Sequence, residues 1–372
     1  MGRTRDRRPR LECLEGRRLL SASADAGAAA ARAQFHADGS GLAAAVIDTG
    51  VNYRHEALGG GFGPGHKVLD GADFADGHAT PDATTWQHGT AVAGLIASAD
   101  PAHPGVAPGA DIVALRVFGD DNRGSYARVA DALQWIVDHH AQDHISVVNI
   151  SISDGGNYAV DPFAHDGTVG QRIDALIGEL AAAGIPVVAA AGNDFAGAPG
   201  MGYPAVVVGV IRVTAVDGAG RLATGAQRLG STGGNGPSTT LAAPGAHLVA
   251  PLQGNTFAKV DGTSFAAAEV SGAILILQQV YQSRFHALPS VADLTAWLKG
   301  GSDPISGDGL GGAFGRLNVA KSAALIPAAS PRRPEPQTAA NAPGLPTVAT
   351  ARPMPRGPLA ARRAMAAKAR HG

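Results

Sequence analysis

Three side chains suited to acyl transfer stand at the edges of apolar segments: a carboxylate, an imidazole and a hydroxyl. Asp48 ends the apolar run 43–47, His88 opens a run of small and apolar residues, and Ser264 opens another. In nucleophilic acyl transfer a serine attacks a carbonyl carbon, a histidine takes the serine proton, and a carboxylate fixes the histidine tautomer. The set predicts Ser264 as nucleophile, His88 as base and Asp48 as the orienting carboxylate.

A fourth polar side chain, Asn193, follows the apolar segment 185–192. Acyl transfer needs hydrogen-bond donors at the place where the oxyanion forms, and the Asn193 amide with the backbone N–H of Ser264 would supply them. Taken singly, each residue has a simpler interpretation: Asp48 and Asn193 as turn residues, His88 as a structural histidine, and Ser264 as a helix cap. Only their combination indicates a catalytic site.

The segment that begins at Ser264 is almost entirely apolar. From residue 265 to residue 277 its only charged side chain is Glu269, which predicts a helix buried on all sides. The sequence names no partner for the Glu269 carboxylate, although a buried carboxylate needs a partner or a raised pKa.

Short apolar strands and helical stretches alternate between these residues, at 112–117, 126–140, 146–151, 172–183 and 186–191. This alternation predicts an α/β, three-layer fold with a central, mostly parallel sheet and helices on both faces. Ligands of such sheets bind beyond the carboxyl ends of the strands. Asp48 and Asn193 are both predicted to lie at that edge, so the fold and the chemistry indicate the same place.

The flanking sequences resemble those of the subtilisin-like serine peptidases (subtilases). The four motifs are VIDTGV around Asp48, HGTAVAG from His88, AAAGN ending at Asn193, and GTSFAA around Ser264. The chain order Asp, His, Ser agrees with that family and differs from the orders of the chymotrypsin-like and α/β-hydrolase enzymes. Shorter matches, such as the segments 105–108, 203–205 and 315–319, extend the resemblance over roughly residues 41–325.

The resemblance implies a subtilisin fold and a serine endopeptidase that works through an acyl-enzyme. It also implies that the substrate lies between two segments. The predicted substrate-binding residues are Ser151, Ile152, Ser153, Ala190 and Gly192. Their small, mostly apolar side chains favour a medium to large apolar residue before the cut. The chain departs from the family pattern at Ala91, Ser153, Ala268 and Glu269, which bears on substrate preference rather than on the chemistry.

Composition and charge agree with one folded domain that carries two tails. The chain has 372 residues, 45% of them hydrophobic, and a formal net charge of only −1. Residues 23–327 nevertheless hold 15 basic and 27 acidic side chains, so an acidic body lies between basic ends. The predicted boundaries are a leader or short pro-segment at 1–40, a peptidase domain at 41–327, and a disordered basic tail rich in Pro, Ala and Arg at 328–372.

Catalysis of this kind requires no cofactor, and no metal ligands are predicted. Structural calcium, which many subtilases bind, stays unassigned because the stretch 98–104 lacks an asparagine-rich loop. The expected partner is a protein or peptide substrate, with no nucleic acid and no membrane span, and the expected state is a monomer. A leader-like motif around the single cysteine, Cys13, favours export. The alternative is an inactive or regulated subtilase-like binding module. An esterase on another fold is disfavoured because Gly262–Ala266 lacks the final glycine of a nucleophile elbow.

Overall fold

The computed structural model describes residues 26–83, 85–164, 167–230, 238–305 and 314–328. In that part of the chain seven strands form one sheet in the order β2-β3-β1-β4-β5-β6-β7, and every neighbouring pair is parallel. The strands are β1 (Ala43–Asp48), β2 (Val68–Asp73), β3 (Asp111–Arg116), β4 (Ile145–Ile150), β5 (Val187–Ala190), β6 (Ile211–Val216) and β7 (Leu241–Pro244). An antiparallel pair, β8 (Leu248–Pro251) and β9 (Phe257–Val260), lies outside this sheet.

Helices cover both faces of the sheet, as the three-layer prediction requires. They are α1 (Ala28–Phe35), α2 (His88–Ala97), α3 (Tyr126–His139), α4 (Val169–Ala182), α5 (Thr263–Phe285), α6 (Val291–Gly300) and α7 (Val319–Ala324). Short 3-10 turns occur at Glu56–Leu58 and Gln253–Asn255. The predicted elements are confirmed, with ends displaced by at most three residues.

The central strand β1 shows how the two faces are filled. All six of its residues are buried. Ala44 and Val46 join the core under α2 and α5, whereas Ala45 and Ile47 join the core under α3 and α4. Because strand side chains alternate between faces, Asp48 continues the first set and belongs to the face covered by α2 and α5.

Helix α5 is the central element of that face, and the prediction of a helix buried on all sides is confirmed. It packs against β4, β5, β6 and β7 as well as against α2. Among the described residues it is the one helix long and apolar enough to cross a membrane, but 94% of its apolar window is buried inside the protein. Its length and composition are therefore those of a core helix.

The segment that precedes β1 packs on the body. Ala28 and Ala31 of α1 are fully buried, α1 contacts α7, and the N–H of Val319 donates to the carbonyl of Ala26 at 2.9 Å. The assignment of residues 1–40 as a leader or pro-segment stays a prediction, but its described part, 26–40, is structurally part of the peptidase domain. The predicted tail lies outside the described residues from residue 329 onward, and so does Cys13.

Arg32 on α1 supplies a positive charge for the buried Glu269. Its guanidinium donates to the carbonyl oxygens of Gly105, at 3.2 Å, and Val106, at 2.8 Å. Burial lowers the pKa of Arg32, and the negative charges of Asp38 and Glu269 partly offset that effect. The segment before β1 thus contributes a positive charge whose field acts on the buried Glu269.

Candidate active site

Asp48 and His88 form a hydrogen-bonded pair at the carboxyl edge of the sheet. Asp48 is the last residue of β1 and its side chain is 1% exposed. The Nδ1 atom of His88, at the start of α2, lies 2.9 Å from Oδ1 and 3.0 Å from Oδ2 of Asp48. A carboxylate accepts and cannot donate, so Nδ1 carries the proton and the Nε2 of the neutral ring keeps its lone pair. The imidazole is 35% exposed.

The pair is close because α2 begins directly against the end of β1. A side chain at Gly89 would clash with the carbonyl oxygen of Gly50 and lie 3.0 Å from the Cβ of Asp48. Instead the N–H of Gly89 donates to Thr49 Oγ1 at 3.0 Å, and the N–H of Thr49 donates to Asp48 Oδ1 at 2.7 Å. The glycine after the histidine is therefore a requirement of close approach.

The environment of His88 favours its charged form. Burial alone would lower the pKa of His88, but the charge of Asp48 and their hydrogen bond outweigh burial, so the pKa of His88 is raised above its ordinary value. The imidazolium formed when His88 accepts a proton is thereby stabilised by Asp48.

Ser264 lies in the first turn of α5 and is 8% exposed. The ring of the next residue, Phe265, lies 5.2 Å from the His88 ring, measured between centroids, so the start of α5 lies next to the histidine. The Ser264 hydroxyl donates to the carbonyl oxygen of Ser151 at 3.2 Å. It must turn from Ser151 before it can donate to His88. Hydrogen bonds of this type commonly form only when substrate is bound.

A buried chain of polar groups fixes the start of α5 to the end of β4. The hydroxyl of Ser151 donates to the carbonyl oxygen of Ser264 at 2.8 Å and accepts from Nδ2 of Asn149 at 2.8 Å. Oδ1 of Asn149 in turn accepts from the hydroxyl of Ser271, about two turns further along α5 than Ser264, at 2.9 Å. All of these groups are buried, so each hydrogen bond is made without competition from water.

Asn193 follows β5, as predicted, and is exposed. Thr263 holds the oxygen of its side-chain amide. Its Oδ1 accepts from the backbone N–H of Thr263 at 2.9 Å and from the Thr263 hydroxyl at 3.0 Å. Because an N–H can only donate, the oxygen of the amide must face Thr263, and the NH₂ group must point the other way. The amide is therefore oriented with its two donors available.

The predicted substrate-binding residues lie on two facing segments. Ser151, Ile152 and Ser153 continue β4 beyond the sheet, while Ala190 ends β5 and Gly192 follows it. A side chain at Gly192 would lie 3.2 Å from the Oγ of Ser153. Ile152 and Ser153 also line a pocket of about 390 Å³ together with Phe118 and Tyr126.

The sequence did not indicate a role in the site for five further residues: Thr49, Asn149, Thr263, Gln227 and Phe265. A signal existed for one of them. Asn149 interrupts the apolar strand ISVVNI, and a polar group in a buried strand needs a hydrogen-bond partner. Gln227 follows a loop after β6 and gave no such signal.

A group of Asp76, His78 and Asp120 has the separations of a metal site among the described residues. The buried guanidinium of Arg116 already lies between the two carboxylates, 2.9 Å from Asp76 and 2.8 Å from Asp120, and is also 2.8 Å from Asp73. These carboxylates thus have a cation of the protein's own, and the group gives no reason to assign calcium here. Calcium binding stays an untested prediction.

A parallel α/β sheet with a carboxylate–histidine pair and a serine at a helix start on its carboxyl edge defines a subtilisin-like architecture, and comparison with known proteins agrees. The sequence model of the subtilase family (Peptidase S8) matches residues 39–308. The chain therefore belongs to the subtilase family of serine peptidases.

Individual relatives are similar over most of the folded domain. Thermitase of Thermoactinomyces vulgaris is 31% identical over 290 residues, which cover 77% of this chain and 90% of thermitase. Subtilisin BL of Lederbergia lenta is 30% identical over 244 residues, 65% of this chain and 77% of its own. Subtilisin E of Bacillus subtilis (strain 168) is 29% identical over 245 residues, 64% and 56% of the two chains.

Proposed function

We propose that this protein is a serine endopeptidase that cleaves peptide bonds through Asp48, His88 and Ser264. The observation that carries the proposal is the 2.9 Å hydrogen bond between His88 Nδ1 and Asp48, next to the start of α5, where Ser264 lies. This bond leaves Nε2 as the basic nitrogen, and a serine hydroxyl needs such a base in order to attack a carbonyl at neutral pH.

In the acylation step the Ser264 proton passes to Nε2 of His88 while Oγ bonds to the scissile carbonyl carbon. The carbonyl π electrons move to its oxygen, which becomes an oxyanion. His88 is then an imidazolium beside the buried Asp48 carboxylate, the state that the raised pKa of His88 favours.

The oxyanion is proposed to accept hydrogen bonds from the Asn193 amide and the backbone N–H of Ser264. Thr263 holds the amide oxygen, so the NH₂ group is oriented before substrate arrives. The N-terminus of α5 adds the positive end of the helix dipole. Donors fixed in advance stabilise the charge without reorganisation during the reaction.

The tetrahedral intermediate collapses when the C–N bond breaks and His88 gives its proton to the leaving amine. A covalent ester between Ser264 and the acyl group remains. A water molecule then attacks this ester, with His88 as base again, and releases the carboxylate product and the free serine hydroxyl.

The alternative, a subtilase-like binding module, is favoured by one observation: the Ser264 hydroxyl donates to Ser151 and not to His88. Reaction of the purified protein with a fluorophosphonate separates the two functions, because only an activated serine is phosphonylated. We expect one adduct, on Ser264, together with hydrolysis of casein.

The matched control is Ser264→Ala. It should abolish labelling and casein hydrolysis while the circular dichroism spectrum is unchanged, because one lost hydroxyl costs about 1 kcal/mol of unfolding free energy. Wild-type activity in Ser264→Ala would contradict the assignment of the nucleophile. An unlabelled, inactive wild-type protein would favour the binding module.

The partners and the location of the protein belong to the same proposal. We propose a protein or peptide substrate, no requirement for a cofactor, and action as a monomer outside the cytoplasm. Export is supported by the similarity to bacterial subtilisins and by the leader-like sequence around Cys13, which lies outside the described residues.

A further inference from the structure

The space between the two substrate segments is occupied by side chains of the protein itself. One segment is 151–154, beyond β4, and the other is 190–192, at the end of β5. Gly192 carries no side chain into the space, and its φ of +109° lies in the region that favours glycine, so the size of the space depends on the groups that approach this residue.

The first of these groups is the hydroxyl of Ser153. It lies 3.2 Å from the position that a Cβ on Gly192 would take, and it would clash with a Cβ on Gly202, which is the residue before Tyr203. The N–H of Gly155 donates to this hydroxyl at 3.3 Å, so its position is held. The Ser153 hydroxyl thus lies close to both Gly192 and Gly202.

The second group is the amide of Gln227, which is completely buried. Its oxygen occupies the position that a side chain on Gly192 would take, and its carbon Cδ lies 2.9 Å from that position. The Nε2 atom donates at 2.9 Å to both the carbonyl of Gly156 and Oδ1 of Asn157.

The backbone of Gln227 is held as well. Its N–H donates to the carbonyl of Gly192 at 2.9 Å, and its carbonyl accepts from the Thr214 hydroxyl at 2.7 Å. The Gln227 side chain therefore links Gly192 to Gly156 and Asn157, in the loop that follows the first segment, and its own buried amide would lose these partners if it were displaced.

From these contacts we infer that the enzyme cleaves after small residues, glycine, alanine or serine, because Ser153 and Gln227 fill the place of a larger side chain. The inference rests on the proposed peptidase function and names its substrate class. It replaces the sequence-based expectation of a medium to large apolar residue before the cut, which considered only the small side chains of the walls.

Tetrapeptide p-nitroanilides that differ only in the residue before the cut test this inference. We expect kcat/KM of the wild-type enzyme to be at least about 10-fold higher for alanine than for phenylalanine, with leucine between them, because excess volume in a fixed pocket is discriminated by factors of this size. Active-site titration with a fluorophosphonate normalises every preparation to the fraction that reacts.

Ser153→Gly removes the first obstacle, and with it only one half-buried hydroxyl group. It should lower the alanine preference about 10-fold, chiefly by raising kcat/KM for phenylalanine. Gln227→Ala should also lower the ratio of kcat/KM for alanine to that for phenylalanine. If Gln227→Ala does not fold, the result for Ser153→Gly alone tests the inference. Gln282→Ala, at an exposed position of α5, is the matched glutamine control and should keep the wild-type ratio.

The outcomes are distinguishable. A labelled enzyme that prefers phenylalanine or leucine to alanine overturns this inference and leaves the peptidase function intact. A labelled enzyme whose preference is unaltered in Ser153→Gly also overturns it, since Ser153 then does not limit the space. A protein that neither reacts with the fluorophosphonate nor cleaves any peptide overturns both.

Discussion

Thr263 holds the Asn193 side chain by two hydrogen bonds, from its backbone N–H at 2.9 Å and from its hydroxyl at 3.0 Å. The same hydroxyl accepts from the N–H of Gly192 at 3.1 Å. The residue next to the proposed nucleophile therefore orients the proposed oxyanion donor, although the two residues are far apart in the sequence. Ser264 and Asn193 are positioned as one unit.

Thr263→Val tests this coupling, because valine keeps the shape and the backbone N–H but loses the hydroxyl. We expect kcat to fall about 10-fold with KM nearly unchanged, since a less well oriented amide stabilises the transition state more than the bound substrate. In an Asn193→Leu background the same change should cost little further activity. Independent, additive losses would show that Thr263 does not act through Asn193.

Asn193→Leu removes the side-chain donor to the oxyanion. The expected loss is about 10²–10³ in kcat with little change in KM, a magnitude taken from removal of the corresponding kind of donor in a subtilisin. Steady-state kinetics on a chromogenic peptide measure it. If kcat is unchanged, Asn193 is a turn residue without a catalytic role.

The pH dependence of kcat/KM should follow the ionisation of His88. The neutral imidazole is the reactive form, so kcat/KM should rise as His88 loses its proton and then reach a plateau. Asp48 raises the pKa of His88, which places this rise at higher pH than for an ordinary histidine. Rates measured at constant ionic strength from pH 4 to 10 check it, and maximal activity near pH 4 would contradict the mechanism.

The same raised pKa of His88 predicts that the free energy of unfolding changes with pH in the opposite direction to activity. A histidine whose pKa is higher in the folded than in the unfolded protein stabilises the fold below its unfolded pKa, and this contribution is lost as pH rises through the folded pKa. As pH rises through this window, kcat/KM therefore increases while the His88–Asp48 contribution to the free energy of unfolding decreases. Urea unfolding of wild type and His88→Ala on both sides of neutral pH should show a difference that shrinks as pH rises.

Arg32→Met tests how much the Arg32 contacts of the segment before β1 stabilise the folded domain. The change removes two hydrogen bonds from a cation to buried carbonyls and a positive charge near Glu269. We expect the free energy of unfolding to fall by about 1–3 kcal/mol. Arg123→Met, at a side chain that is 86% exposed, is the control and should have little effect. Equal stability of both variants would show that the Arg32 contacts do not stabilise the fold.

The sequence by itself determined the family and the four proposed catalytic positions, because each motif is local. Each of the four residues, Asp48, His88, Asn193 and Ser264, lies at the end or the start of an apolar segment. Such a segment can be recognised from a single stretch of sequence because its apolar pattern is local. The alternation of these segments likewise predicted the parallel sheet and the edge at which the residues meet.

Only the tertiary structure decided what lies between and beneath these residues. Gln227 reaches Gly192 across the sheet edge, Thr263 reaches Asn193, and Arg32 approaches Glu269 from a helix predicted to belong to a leader. Each contact joins segments distant in sequence, and local composition does not specify which distant segment will pack on which. The size of the substrate space therefore follows from the packing, since side chains from separate elements fill it.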